Sequence, residues 1–561
     1  MSRPDRLRQL IVVGVLVILA LAALRDLSRL GAGLPWRTMY DFPDFYCAGW
    51  AIDHRQSPYT YEPLHACEHH VNSGSAFRSQ FFRVNPNLAI PAPLPAYDFL
   101  PYMALARLPA EKAALIDAIA IGAAVALCAV ALADLGLPLS LVAAALLLST
   151  AFMELNTGQI VPFALLALAL CGLALARGQD SLAGIFAVFT AIEPSVGLPV
   201  VLAALFFVPR ARSAVAITAA VFAILALRVV GVAALVQYAS SVLPAQAASE
   251  VHFPYQYSLT YLLAFFGVSP DVARLAGAAS YFVLLAIGLA LGAAVSRRLA
   301  KRELIVFVPA LCTTIAGAYL HPEELCFALP ALLVLTHAAR GSARTTLALA
   351  LCVLAVPWIL VWGSKQLFLA SLFVCAAILL RLRIDRRVAL GFLCVVAAVI
   401  YAFELHPPHL PTPVATSHAY SPNELVQNEW HEYAEARTKH DPLWFAIKLP
   451  TWFALLAVLS IAARWSLRSR GGAIPKAPTS PQTSDTNIGG NGSYSVSTGL
   501  FEGGCRSKYS FEYSAGIGVN ARAGWLKSKK SLTKSGELWS VVPSRGSPQL
   551  SSMNLTMLPN S

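Results

Sequence analysis

Apolar runs of Leu, Ala, Val and Ile, many close to twenty residues long, recur from residue 10 to residue 464 with short polar stretches between them. A helix of about twenty residues crosses about 30 Å of hydrocarbon. Clear runs lie at 10–30, 113–134, 137–155, 158–176, 213–235, 275–295, 303–320, 343–362, 365–380, 388–405 and 444–464. Shorter ones lie at 181–193, 195–208, 259–268 and 325–337. The pattern predicts an all-α polytopic membrane protein with about 11–13 transmembrane helices. Composition agrees, with 57% hydrophobic against 13% charged residues, a balance that excludes an ordinary soluble protein. The first run follows Arg3, Arg6 and Arg8 and lacks a clear small-residue cleavage site, so it reads as an uncleaved anchor.

Polar interruptions set the expected orientation. Basic clusters sit at Arg3–Arg8, Arg210–Arg212, Arg297–Arg302, Arg340–Arg344, Arg381–Arg387 and Arg464–Arg470. Lys and Arg collect on the cytoplasmic side, so an even number of crossings must separate successive clusters. That parity holds if 181–208 is a hairpin broken at Pro194 and 259–268 does not cross alone. Residues 31–112, 236–274, His321–Glu324 and 406–442 then face outward from an inner (plasma) membrane, and the N-terminus is cytoplasmic. The net charge of +12 is in this reading a topology signal and implies no nucleic-acid partner.

Three regions follow: 1–112, a first helix and a long extracytoplasmic loop; 113–469, the helical bundle; and 470–561, where Ser, Gly, Thr and Asn dominate and a disordered tail is expected. Seven of the ten cysteines lie in apolar runs, whereas Cys47 and Cys67 share the first outer loop. The outward setting permits a disulfide between them. The competing arrangement is a zinc site of Cys67 with His65, His69 and His70, although these lack a repeated ligand spacing.

The outward segments also hold most of the polar chemistry. Asp41 and Asp44 are followed by Asp53, Tyr59, Glu62, Glu68, Tyr97 and Asp98. Glu154, Asn156 and Gln159 occupy "ELNTGQIVPF", Glu193 stands beside Pro194, and His252, Gln256, Tyr257 and Ser258 lie in "VHFPYQYSLT". His321, Glu323 and Glu324 form "HPEE". Carboxylates at membrane level are costly and mark sites or pathways. Gathered at one face, they suit an enzyme that draws a substrate from the lipid better than a relay through the bilayer centre.

The succession Asp41-Phe42-x-x-Phe45-Tyr46-x-Ala48, then Ser57–Tyr59 ("SPY"), resembles the first-loop motif of glycosyltransferase family 87. The proline-rich "PAPLPAYDFLPYMALARLP", then "GQIVPFALLALAL", "DSLAGIFAVFTAIEPSVGLPVVLAALFFVPRAR" and "YQYSLTYLL", extend the likeness over residues 35–340. The resemblance implies a GT-C-type bundle and an inverting transfer of a sugar, with mannose the first expectation. The donor would be a polyprenyl-phosphate sugar and the acceptor an extracytoplasmic glycolipid, glycan or protein. No cofactor and no metal are implied. The family's first-loop aspartate, the general base, maps onto Asp41, with Asp44 one turn later as the reserve. Tyr46, Tyr59, Gln159, Glu193, Gln256, Ser258, His321 and Glu324 are the expected substrate contacts. The chain departs from the family at Glu193-Pro194, where Lys-Pro is common; Arg55 or Arg83 would then meet the donor phosphate.

Simpler readings stand beside these. Asp41 is also placed to cap a helix, and Asp44 to lie on a solvated face. The bundle as a whole also fits a lipid or solute transporter, or a family member that has lost catalysis.

Overall fold

The computed structural model describes residues 3–30, 39, 41–73, 89–361, 364–408, 420–425 and 441–467. The expected tail and Arg83 lie outside the described residues. Among the described residues every regular element is a helix, apart from one isolated bridge between Thr60 and Leu425. Ala- and Leu-rich runs favour this outcome intrinsically. Proline opens several helices, at Pro43, Pro162, Pro194 and Pro270, where its missing N–H costs nothing.

Five helices are long and apolar enough to cross a membrane: Ala110–Ala133, Pro209–Ser249, Pro270–Leu299, Arg386–Leu405 and Pro442–Leu467. Their outer faces carry exposed apolar side chains, among them Ile217, Ile224 and Val232 on the second and Leu275 and Phe282 on the third. Water would not tolerate so much contiguous apolar surface, whereas lipid does. The protein is an α-helical membrane protein.

Other apolar runs do not form single continuous helices. The run 137–155 yields Leu139–Leu146 and then the single turn Thr150–Met153. The run 303–320 yields only Leu304–Thr313, with Pro309 inside and Gly317 at φ 126° beyond. Ten residues span about 15 Å, half the hydrocarbon thickness. The run 343–362 divides at Pro357 into Gly341–Leu354 and Trp358–Val361, because proline cannot supply the N–H a continuous helix needs. The first two breaks matter for function, since polar turns take the place of the missing helix.

The segment 181–208 is a broken hairpin. Asp180–Phe189 ends in a 3₁₀ turn, Glu193 leaves helical geometry (φ −112°, ψ 96°), and Pro194–Phe207 returns. The legs run antiparallel, with Gly197 against Ala191 and Gly184 against Ala211. A Cβ at Gly197 would stand 2.4 Å from the Ala191 Cα, so only glycine lets the tip close this tightly.

Basic residues of several of these clusters gather at one end of the bundle. Arg177 pairs with Asp134 at 3.0 Å and Arg302 with Asp180 at 2.7 Å, while Lys301, Arg344 and Arg381 surround His337. The helix Val161–Ala176 leads from Arg177 to the opposite end, roughly 24 Å away. There the first loop folds as the helices Phe42–Asp53, Tyr61–Ser73 and Phe99–Leu105, around a core of Phe42, Phe45, Leu64, Phe99 and Tyr102.

Cys47 and Cys67 are disulfide-bonded across the first two of these helices, 20 residues apart in sequence. Cys67 is therefore not a zinc ligand, and His65 stacks on Tyr61 instead. Closing a loop of this length is worth about 3 kcal/mol in the chain-entropy model. Cys47→Ser is expected to lower the apparent melting temperature by several degrees in protein purified without reductant. Mass spectrometry finding two free thiols in the wild type would reject the bond.

Candidate active site at the polar end of the bundle

Asp41 precedes the Phe42–Asp53 helix but does not cap it, because its side chain accepts nothing from that helix. Its backbone N–H donates to the Thr157 carbonyl at 2.8 Å, and Gln159 Nε2 donates to its Oδ2 at 2.6 Å. Both partners belong to the tight turn 154–160. Gly158 makes that contact possible: its φ is 81°, and a Cβ there would lie 2.9 Å from the Phe42 Cβ. The aspartate is thus held on two sides by one turn that lies 118 residues away in the sequence.

A second group of residues converges on the same place. His321 Nε2 lies 3.2 Å from Glu250 Oε2, and Gln256 Nε2 donates to that same oxygen at 2.8 Å. The other end of the Gln256 amide accepts the Leu320 N–H at 2.5 Å, and Tyr257 N donates to the Leu320 carbonyl at 2.9 Å. Thr150 Oγ1 ties the Glu323 carbonyl to the segment before the Asp41-holding turn, at 3.2 Å. Glu154, bonded by the Thr157 hydroxyl, lies within electrostatic reach of Glu323, Asp41 and Glu324. Glu193, at the hairpin tip, accepts from Ser195 Oγ at 2.9 Å and acts electrostatically on Glu324.

Six carboxylates therefore converge: Asp41, Glu154, Glu193, Glu250, Glu323 and Glu324. His321 is in ion-pair contact with one of them, Glu250. The Oε2 atoms of Glu323 and Glu324 are buried without a hydrogen-bond partner among those residues.

Burial drives the electrostatics. It pushes the Asp41 carboxyl up to about 6; Gln159 and His321 work against that rise, while Glu323 and Glu250 add to it. Glu323 and Glu324 are also raised, first by burial, with Glu193 adding to the rise at Glu324. Burial alone would lower His321, but the charges of Glu250, Glu324 and Glu323 outweigh it and hold the imidazole well above the ordinary histidine value.

Not every expected contact belongs to this cluster. Asp44 is buried in the first turn of the Phe42–Asp53 helix and not on a solvated face. Tyr46 donates to the Leu108 carbonyl at 2.8 Å and so braces the loop. Ser258 caps the helix Leu259–Phe265 by accepting from Tyr261 N. Tyr59 is buried and stacks on Tyr238 at 6.2 Å, at the margin of the cluster. Arg55 is exposed at the far end of the Phe42–Asp53 helix, roughly 18 Å from Asp41 along its axis, and does not serve the site.

Glu250 was not anticipated, because a lone glutamate in "AASEVHF" looks like any polar loop residue. Among the described residues no group of three His, Cys, Asp or Glu side chains is placed to hold a metal ion. The likeness to glycosyltransferase family 87 accordingly rests on the order and spacing of motifs alone. No family model matches the chain, and no curated protein and no solved structure matches it either.

Proposed function

We propose that the protein is an inverting glycosyltransferase that moves a sugar from a polyprenyl phosphate to an acceptor hydroxyl, with Asp41 as the general base. The observation that carries this reading is the carboxyl of Asp41, oriented by Gln159 and surrounded by a buried polar cluster at one end of an apolar bundle. The acceptor O–H gives its proton to Asp41 as its oxygen attacks the anomeric carbon. The bond from that carbon to the phosphate oxygen breaks, and polyprenyl phosphate leaves with the electron pair. A single displacement inverts the carbon. Charge distribution supports an extracytoplasmic site in the inner membrane, since Arg177, Arg302 and the groups around His337 collect at the opposite end.

A base that ionises near 6 is protonated below that pH and active above it. The transfer rate in proteoliposomes is therefore expected to rise through about pH 6. The Gln159 hydrogen bond favours the carboxylate, so Gln159→Leu is expected to shift this rise to higher pH and to slow transfer. A profile flat between about pH 5 and 7.5 sinks the assignment of Asp41.

One observation favours a second reading. The surplus of carboxylates, with Glu323 and Glu324 each holding an oxygen without a hydrogen-bond partner among the described residues, also suits a cation-coupled transporter. Cation uptake into vesicles in the absence of a sugar donor distinguishes the two, because a transferase takes up none.

A further inference from the structure

Lys448 lies where the last described helices break. Pro442–Ala446 ends, Ile447 and Lys448 form a turn, and Leu449–Leu467 begins. The side chain is completely buried, and Nζ has no hydrogen-bond partner among the described residues. Its neighbours are aromatic, with the Tyr261 ring centroid 3.1 Å from Nζ and that of Tyr257 5.9 Å away. Ring faces attract a cation, but they replace only part of the hydration that a buried ammonium gives up. An anion would complete the set.

Three further features name the anion. The 19-residue helix Leu449–Leu467 starts beside Lys448, and the N-terminal end of a helix carries partial positive charge. Lys448 is six residues into the apolar stretch Pro442–Leu467, roughly 9 Å from its start, in the outer part of the span and short of the bilayer centre. Tyr257 joins the lysine to the carboxylate cluster. Its ring faces Nζ, its backbone N–H holds Leu320 beside His321, and its carbonyl accepts Trp452 Nε1 at 3.0 Å. Among the six carboxylates a phosphate would compete with Glu250 for His321 and face the remaining acids. At Lys448 it would lie next to them and not among them.

We propose that Lys448 is the phosphate-binding residue of a lipid-phosphate site, pairing its ammonium with the phosphate of the polyprenyl donor. The proposal rests on the glycosyl-transfer reading and supplies the cation that Glu193 does not provide at the hairpin tip.

The test is binding, separate from transfer. Full-length protein in nanodiscs is titrated with undecaprenyl phosphate. Lys448→Met is expected to weaken binding by about tenfold or more, Lys448→Arg to restore most of it, and exposed Lys365→Met to leave it unchanged. The apparent melting temperature of unliganded Lys448→Met is expected to rise, because a buried unpaired amine is replaced by an apolar chain of similar length. Unchanged binding in Lys448→Met overturns the proposal and leaves the transferase reading intact. Lost binding with a lower melting temperature makes Lys448 a structural residue and also overturns it. Failure of the wild type to bind undecaprenyl phosphate overturns the donor reading itself. Displacement by equimolar inorganic phosphate transfers the site to a free anion and rejects the lipid.

Discussion

Asp41→Asn is expected to reduce sugar transfer by about 10²–10⁴-fold, the range for loss of a positioned general base. Asparagine keeps the size of the side chain and an oxygen that can accept from Gln159 Nε2, so the local geometry should survive. No helix cap is lost, because the aspartate makes no capping bond. What disappears is the ability to take a proton at neutral pH. The assay uses membranes, a radiolabelled polyprenyl-phosphate sugar and the host's own envelope acceptors. Asp44→Asn should be much milder, since it is Asp41 that the turn 154–160 holds and that accepts from Gln159 Nε2. If Asp41→Asn keeps more than about a tenth of the rate, the loss falls short of that range and the base lies elsewhere. If Asp44→Asn is the dead variant, the motif has been placed one turn out of register.

Acidification is expected to stabilise the protein, the reverse of the usual behaviour of salt-bridged carboxylates. Asp41 titrates near 3.8 when unfolded and at about 6 when folded, and Glu323 and Glu324 are raised in the same direction. Between those limits the native state holds more protons than the unfolded chain, so stability falls as pH rises through the window. His321 acts with the same sign: its contribution is complete below about 6.5 and is lost as pH climbs through its raised folded value. For Asp41 alone the difference amounts to on the order of 3 kcal/mol. Melting followed by intrinsic fluorescence in detergent should give a higher midpoint at about pH 5.5 than at about pH 8. Asp41→Asn should flatten part of that slope. A midpoint that rises with pH would show that these carboxylates are exposed or paired in solution.

Length and hydropathy were enough to read an α-helical membrane protein, because lipid accepts few backbone solutions and each leaves a long apolar signature. The same signature could not say where helices stop. Apolar composition continues past Thr313 and through Pro357, but Pro309, Gly317 and Pro357 govern the backbone there. Asp41, Gln159, Glu193, His321 and Glu324 stood out as polar groups beside apolar runs, and the structure brings them together. Tyr46 and Ser258 stood out equally, yet they brace the loop and cap a helix; sequence cannot separate a polar group aimed at a site from one aimed at its own backbone. Lys448 was passed over because a lysine near the start of an apolar helix ordinarily snorkels to the interface. Only its complete burial distinguishes it.

The polar cluster is assembled from five separate stretches, around residues 41, 154–159, 193, 250–256 and 320–324, and this affects how the protein is made. His321 follows Asp41 by 280 residues. At cellular translation speeds of roughly 5–20 residues per second, about 15–55 s pass between the synthesis of the two. During that interval the charges of Glu250, His321 and Glu323 cannot yet act on the Asp41 carboxyl, and its final affinity for protons waits for those segments. The last steps of membrane insertion should therefore coincide with a net uptake of protons. Truncated nascent chains that end before His321 should still be open to carboxyl-modifying reagents at Asp41.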